Sequence, residues 1–244
     1  MKRKQINKIR NIQWKRLAWK AVVGFLAVSI LSVIAMRFIP VPFTPLTVIR
    51  SIEQLSSPER DFTLKKDWVP LSDISPQMIR AVISSEDNKF MEHNGFDFDA
   101  IERAIRHNKN SKKKIGASTI SQQTAKNVFL YNRRDWVRKG LETYFTVLIE
   151  TFWPKDRIME VYLNVIEFGD GIYGIEAAAQ NYYHKKASKL NADEAAMLAA
   201  ILPNPLKFSP LAPSSFLKKR KSRILREMRY VHQQGTEVEL LTAK

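Results

Sequence analysis

The chain has 244 residues, enough for one domain with a proper core plus appendages, and it contains no cysteine. Disulfides, Cys-ligated metals and thiol catalysis are therefore excluded, while the compartment stays open. A net charge of +16 would suggest a nucleic-acid binder, but residues 1–20 hold eight Lys/Arg and no acid, and residues 216–229 hold seven Lys/Arg and one Glu. The middle is close to neutral, so no nucleic-acid partner is expected, and basic segments beside an anionic membrane surface are favoured.

Residues 21–36 form an uncharged apolar run, and extending it to 19–39 admits only Lys20 and Arg37, which can snorkel at the ends. A cleaved signal peptide is the alternative. The run is long for one, and no small-x-small site precedes Arg37-Phe38-Ile39-Pro40. The expected layout is a basic cytoplasmic tail at 1–18 and a single transmembrane helix at 19–39, with the rest of the chain outside by the positive-inside rule. Pro40, Pro42 and Pro45 make a stiff start to a juxtamembrane connector at 40–69, which spaces the following domain from the bilayer.

Ser75 caps a helix that opens with Pro76 and carries Ile79, Val82 and Ile83 as an i, i+3, i+4 stripe. Glu86 is the i+7 member of that stripe. A carboxylate on a buried face at the negative end of a helix is costly to ionise, so its pKa should rise, which suits a general base. The alternative is a helix-ending Glu bonded to Asn88 or His93. Residues 98–107 read as an amphipathic helix, and 108–115 as a lysine-rich loop expected to be a mobile flap.

Thr119 and Gln122 have capping-box spacing, so a helix starts there with free N–H groups beside Gly116, an anion-binding arrangement. Gln122, Gln123 and Lys126 fall within one turn of it. Residues 128–136 mix apolar, aromatic and basic side chains, including Phe129, Leu130, Tyr131 and Trp136, and read equally as an interfacial segment or as core. In the helix expected at 136–152, Arg138 and Glu142 sit at i, i+4, the spacing of an ordinary surface ion pair. Further helices are expected at 155–164, 175–183, from Asn191 to Leu202, and at 216–232. The four histidines are scattered, and no zinc site is read. The class is mostly α.

Taken together, these stretches resemble the peptidoglycan glycosyltransferase (transglycosylase) family, glycosyltransferase family 51, over about 70–213. Its first motif, Glu-Asp-x-x-Phe-x-x-His-x-Gly, matches Glu86-Asp87-Asn88-Lys89-Phe90-Met91-Glu92-His93-Asn94-Gly95. The second, Gly-x-Ser-Thr-Ile-(Thr/Ser)-Gln-Gln-x-x-Lys-Asn, matches Gly116 to Asn127 without departure. The third, Arg-Lys-x-x-Glu, matches Arg138-Lys139-Gly140-Leu141-Glu142; a fourth resembles Lys155 to Asn164, and a fifth Ala177 to Ala199.

The resemblance implies a lysozyme-like, mostly helical domain at 70–215 that polymerises lipid II, followed by a basic C-terminal helix and tail at 216–244. It implies Glu86 as the base that deprotonates the acceptor sugar's 4-hydroxyl for an inverting attack on the donor, with loss of undecaprenyl diphosphate. Glu142 is implied as the second glutamate at the donor or diphosphate side. Lys126 and Arg138 are implied as the diphosphate-side cations, and Ser118, Gln122, Gln123 and Asn127 as residues lining that cleft. No cofactor is required, although a divalent cation (Mg or Mn) at the donor diphosphate belongs to the family picture.

The implied partners are lipid II, the growing glycan chain and the membrane, with other cell-wall synthesis and division proteins as candidates. The implied location is the inner (plasma) membrane in a single pass, with the catalytic domain periplasmic or extracytoplasmic. No penicillin-binding transpeptidase domain is expected, since Ser111-x-x-Lys114 and Ser215-x-x-Lys218 lack a Lys-Thr-Gly partner, and the chain resembles the monofunctional biosynthetic form. Two competing functions remain. One is a wall-cleaving muramidase or lytic transglycosylase, and the other a non-enzymatic, membrane-tethered cell-wall scaffold.

Overall fold

A computed structural model describes residues 2–57, 62–112, 114–131, 133 and 135–233, with side chains described from Gln13 to Tyr230. The chain forms two compact units, Met1–Ile39 and a second beginning at Pro40. The first is one continuous helix, α1 (Lys2–Met36), within which Gln13–Met36 is long and apolar enough to cross a membrane. At 1.5 Å per residue those 24 residues extend about 36 Å, against about 30 Å of bilayer hydrocarbon. The helix closes in a turn at Arg37 and Phe38, short of the expected end at 39. Its N-terminal basic segment continues the same helix.

In the second unit the helices are α2 (Pro45–Leu55), α3 (Pro76–Glu86), α4 (Phe98–Asn110), α5 (Ile120–Phe129), α6 (Trp136–Phe152), α7 (Lys155–Val165), α8 (Ile175–Tyr183), α9 (Ala192–Ile201) and α10 (Ser215–Gln233). Three short strands, β1 (Lys65–Lys66), β2 (Glu167–Gly169) and β3 (Ile172–Tyr173), form a small sheet in the order β1-β3-β2. The sequence showed no period-two run because strands of two or three residues are too short to display one.

Segment 40–69 is more than a spacer. Thr44 and Thr47 form a capping box that starts α2 at Pro45. Gln54 then accepts from the Thr63 N–H and donates to Asp170, which stitches α2 to the β2–β3 turn. Strand β1 pairs parallel to β3, Lys65 opposite Ile172. Farther on, Asn164 of α7 accepts from the Val69 N–H and donates back to the Val69 carbonyl. Side-chain amides thus do the joining that a longer sheet would do with backbone.

The core has two packed groups. In one, α3 lies against α9 and α10 through Met78, Ile79, Val82, Leu198, Leu217, Ile224 and Met228, all buried. Beyond its first turn, helix α9 is apolar on every side because it is covered on every side, and its alanines permit close approach. Helix α10, read from sequence only as a basic appendage, thereby becomes part of the core. In the other group α5 packs on α6 and α7.

The 128–136 segment divides between these environments. Val128 and Leu130 are buried, and Phe129 stacks on Phe145 at 4.4 Å between ring centroids. They are core, so an interfacial role for Phe129 and Leu130 is ruled out by the α5–α6 contact. Trp136, by contrast, is 91% exposed. Of the expected flap at 108–115, residues up to Asn110 close α4, and Asn108 bonds both the N–H and the carbonyl of Ile115. Lys113 lies outside the described residues.

Two glycines give opposite expectations. Gly171 has φ +72°, and a Cβ there would lie 1.9 Å from the Thr63 carbonyl oxygen, so Gly171→Ala is expected to destabilise the fold by roughly 2–4 kcal/mol. Gly140 is exposed in the middle of α6 with nothing within 4 Å of an added methyl, so Gly140→Ala should stabilise by up to about 1 kcal/mol. Chemical denaturation of both variants checks the pair.

Candidate active site

Glu86 is the last residue of α3, and the packing of that helix decides its environment. One carboxylate oxygen, Oε2, accepts from Nε2 of Gln123 at 3.1 Å, and the other accepts from the Arg220 guanidinium at 3.2 Å. Burial pushes the carboxyl above its ordinary pKa, and the Gln123 bond and the charges of Arg220 and Lys126 only partly oppose that. These partners replace the expected Asn88 or His93. They come from α5 and α10, far away in sequence.

His93 serves the neighbouring residue instead. Its Nδ1 accepts from the Gly95 N–H, so Nε2 carries the proton and donates to the buried Asp87 carboxylate at 2.9 Å. Asp87 also accepts from the Ile120 N–H at the first turn of α5. A carboxylate at a helix N-terminus is favourably placed, and here it clamps the end of α3 to the start of α5. Thr119 adds a hydroxyl bond to the Gly95 carbonyl, and Lys155 donates to the carbonyl of His93. Residues 86–95 and 116–127 are therefore one structure rather than two adjacent motifs.

The residues expected to line the cleft separate on inspection. Gln123, Lys126 and Asn127 line a cavity of about 290 Å³ together with Arg50, Glu167, Asn204 and the buried Tyr162. Gln122 is buried, and its side-chain oxygen is taken by the Thr119 N–H in the capping box, which draws it away from the cavity. Ser118 is exposed just ahead of that cap. Arg138 and Glu142 form a second cluster on α6, where Glu142 is almost wholly buried and accepts from Arg138 at 2.7 Å and from Lys139. The i, i+4 spacing was read as a surface pair; the packing of α6 on α5 buries it.

Arg220, Arg50 and Glu167 were not recognised in the sequence. Arg220 sits in a run of basic residues where nothing marks one position as inward. Arg50 bonds Glu53 at 2.7 Å and approaches Glu167 at 3.6 Å, bringing a second cation to the Lys126 cavity. No three His, Asp or Glu side chains converge among the described residues, and both oxygens of Glu142 are already occupied by Arg138 and Lys139.

Glu167 supplies a stability test. Burial raises its pKa from 4.5 to about 7, against the opposing charge of Arg50. A raised folded-state pKa means the native state holds the proton more tightly, so stability is complete below about 4.5 and declines as pH rises to about 7. A Glu167→Gln protein should lack that decline. Thermal midpoints across this window should differ by a few degrees, the variant gaining relative to the parent as pH rises.

Comparison with known proteins gives the family. Residues 52–229 match a family model described as Transglycosylase. The chain is 59% identical over 189 residues to a biosynthetic peptidoglycan transglycosylase of Bdellovibrio bacteriovorus, covering 78% of this chain and 75% of the relative. It is 56% identical over 195 residues to a protein of the same description from Bacteroides thetaiotaomicron, covering 80% and 78%. It is 55% identical over 192 residues to another from Salmonella paratyphi B, covering 78% and 79%. The matched region runs from α2 to α10 and takes in Glu86, Gln123, Lys126, Glu142 and Arg220, and with this extent of identity the chain belongs to the transglycosylase family.

Proposed function

We propose that this chain polymerises lipid II into the β-1,4-linked glycan strands of peptidoglycan by inverting glycosyl transfer, releasing undecaprenyl diphosphate and carrying out no transpeptidation. The observation that carries the proposal is the buried Glu86 carboxyl, poised between Gln123 and Arg220 beside a cavity that contains Lys126. Glu86 takes the proton from the acceptor 4-hydroxyl as that oxygen bonds to the donor anomeric carbon. The bond from that carbon to the diphosphate breaks, and the leaving group departs with its electron pair. Lys126 stabilises the charge that develops, as fixed cations in a partly dry site do best. Arg138 and Glu142 act at the same diphosphate side, and the scheme needs no metal ion.

Helix α1 supplies an anchor, with the basic N-terminal segment cytoplasmic and the catalytic unit outside the inner (plasma) membrane. Such an anchor keeps the enzyme where its substrate's lipid tail resides. Other cell-wall synthesis and division proteins are candidate partners on the same membrane.

Glu86→Gln keeps the geometry and removes proton acceptance. Purified protein assayed with lipid II in detergent should lose ~100-fold or more of its polymerisation rate, with thermal stability retained. A variant keeping more than about a tenth of the parent rate contradicts the base assignment. The product separates the competing functions in the same assay, since chain lengthening marks a synthase and soluble fragments released from finished wall mark a lysin.

The pH profile tests the environment of Glu86. The base must be ionised, so the rate should fall as pH drops through a pKa held above 4.5 by burial. Arg220 favours the ionised form, so Arg220→Ala should raise that pKa and move the acid limb to higher pH. Arg220→Lys should move it less. A limb that stays in place in Arg220→Ala would show that the contact is structural only.

A further inference from the structure

The side-chain amide of Gln123 has two ends that differ in chemistry and barely in shape, so packing alone leaves its orientation open and its hydrogen-bond partners decide it. Nε2 donates to Oε2 of Glu86 at 3.1 Å, and Oε1 accepts from the Tyr162 hydroxyl at 3.5 Å. Tyr162 comes from α7, which packs against α5, and it is fully buried. Its hydroxyl therefore answers to the protein interior rather than to bulk water.

A donor at the oxygen end makes one orientation of the amide better than the other. With Tyr162 donating to Oε1, the NH2 group faces Glu86 and serves an ionised carboxylate, which can only accept. Turned over, the amide would set its carbonyl oxygen against that carboxylate, and only a protonated Glu86 could donate to it. The Tyr162 hydrogen would also lose its acceptor in a buried site, which is costly. The orientation of the amide and the charge of Glu86 are thus linked. The donor itself is constant, because burial and the nearby carboxyls of Glu86 and Asp87 hold the Tyr162 hydroxyl well above the ordinary phenol range.

We propose that Tyr162 is a positioning residue for the reaction, its hydroxyl fixing the Gln123 amide with the NH2 end toward Glu86 and so favouring the ionised base. The role rests on Glu86 acting as the base in the polymerisation proposed for this chain. Other groups act on the same carboxyl: Arg220 from α10 and Lys126 from α5 favour its ionised form, and the adjoining Asp87 opposes it. Tyr162 differs from them in working through a neutral amide.

The charge of Glu86 can be read directly in the full-length protein in detergent by labelling glutamate with carbon-13 at Cδ, the resonance being identified by its loss in Glu86→Gln. Tyr162→Phe keeps the ring that fills the core and deletes the donor. The Glu86 pKa should rise by about half to one unit in Tyr162→Phe, the worth of one ordinary hydrogen bond. The acid limb of polymerisation should move to higher pH with it, while KM for lipid II holds. In a Gln123→Met background, where there is no amide to orient, the same substitution should leave the Glu86 pKa where it is.

An unmoved Glu86 pKa in Tyr162→Phe overturns the proposal. So does an equal shift in both backgrounds, which would mean that the hydroxyl acts on the carboxyl without the amide. A raised KM with the acid limb in place also overturns it, by making Tyr162 a substrate contact. In the parent protein, where folding is not in question, the Gln123 side-chain amide protons should shift as Glu86 titrates, and protons that stay in place count against the proposal in the same way. Because the titration reads charge without turnover, its outcome stands even if the assay with lipid II fails.

Discussion

The structure depends on keeping one carboxyl largely out of water at the end of a helix. An isolated buried carboxylate is costly to ionise, and the cost is moderated here by a neutral amide and a guanidinium rather than removed by close pairing with several cations. Glu142 shows the contrast. It is more deeply buried than Glu86 and accepts from two cations on its own helix, Arg138 and Lys139. One carboxyl has its proton affinity raised by burial, and the other is tied to two cations of its own helix. Two identical side chains are thereby suited to different tasks.

Placing Glu86 requires three helices that do not adjoin in sequence. Helix α3 carries it, α5 presents Gln123, and α10 presents Arg220. Asp87 fixes the first two together through the Ile120 N–H and the His93 ring, while the apolar contacts of α3 with α9 and α10 bring in the third. The Glu86 side of the site is thus supported by the core, and a core defect in α9 or α10 would be felt at the carboxyl. Function and stability share residues here because the same packing serves both.

Helix α2 joins the small sheet to the Lys126 cavity. Its inward polar residues fasten the β2–β3 hairpin and bring Arg50 to the cavity, which leaves its apolar residues facing outward.

Much was legible in the sequence. Helices α3, α6 and α8 fall at their expected residues, because apolar periodicity and capping residues are local properties, and the capping boxes at Thr119 and Asn191 form as read. The candidate base and the Gln123 and Lys126 neighbours were legible for the same reason, being spaced by single helical turns. Partners that arrive from other elements were not. Periodicity says which residues share a face and not which face meets which, so it could not show that Phe129 and Leu130 are core or that Glu142 is buried. Nor could it select Arg220 from among the seven basic residues of its segment, or tell that the short helix of the connector would turn its polar side inward. The sequence by itself determined most of the helices, the apolar span and the candidate carboxyl. Only the tertiary structure decided the dielectric around that carboxyl and the charges facing it, because both depend on contacts between residues tens to more than a hundred positions apart.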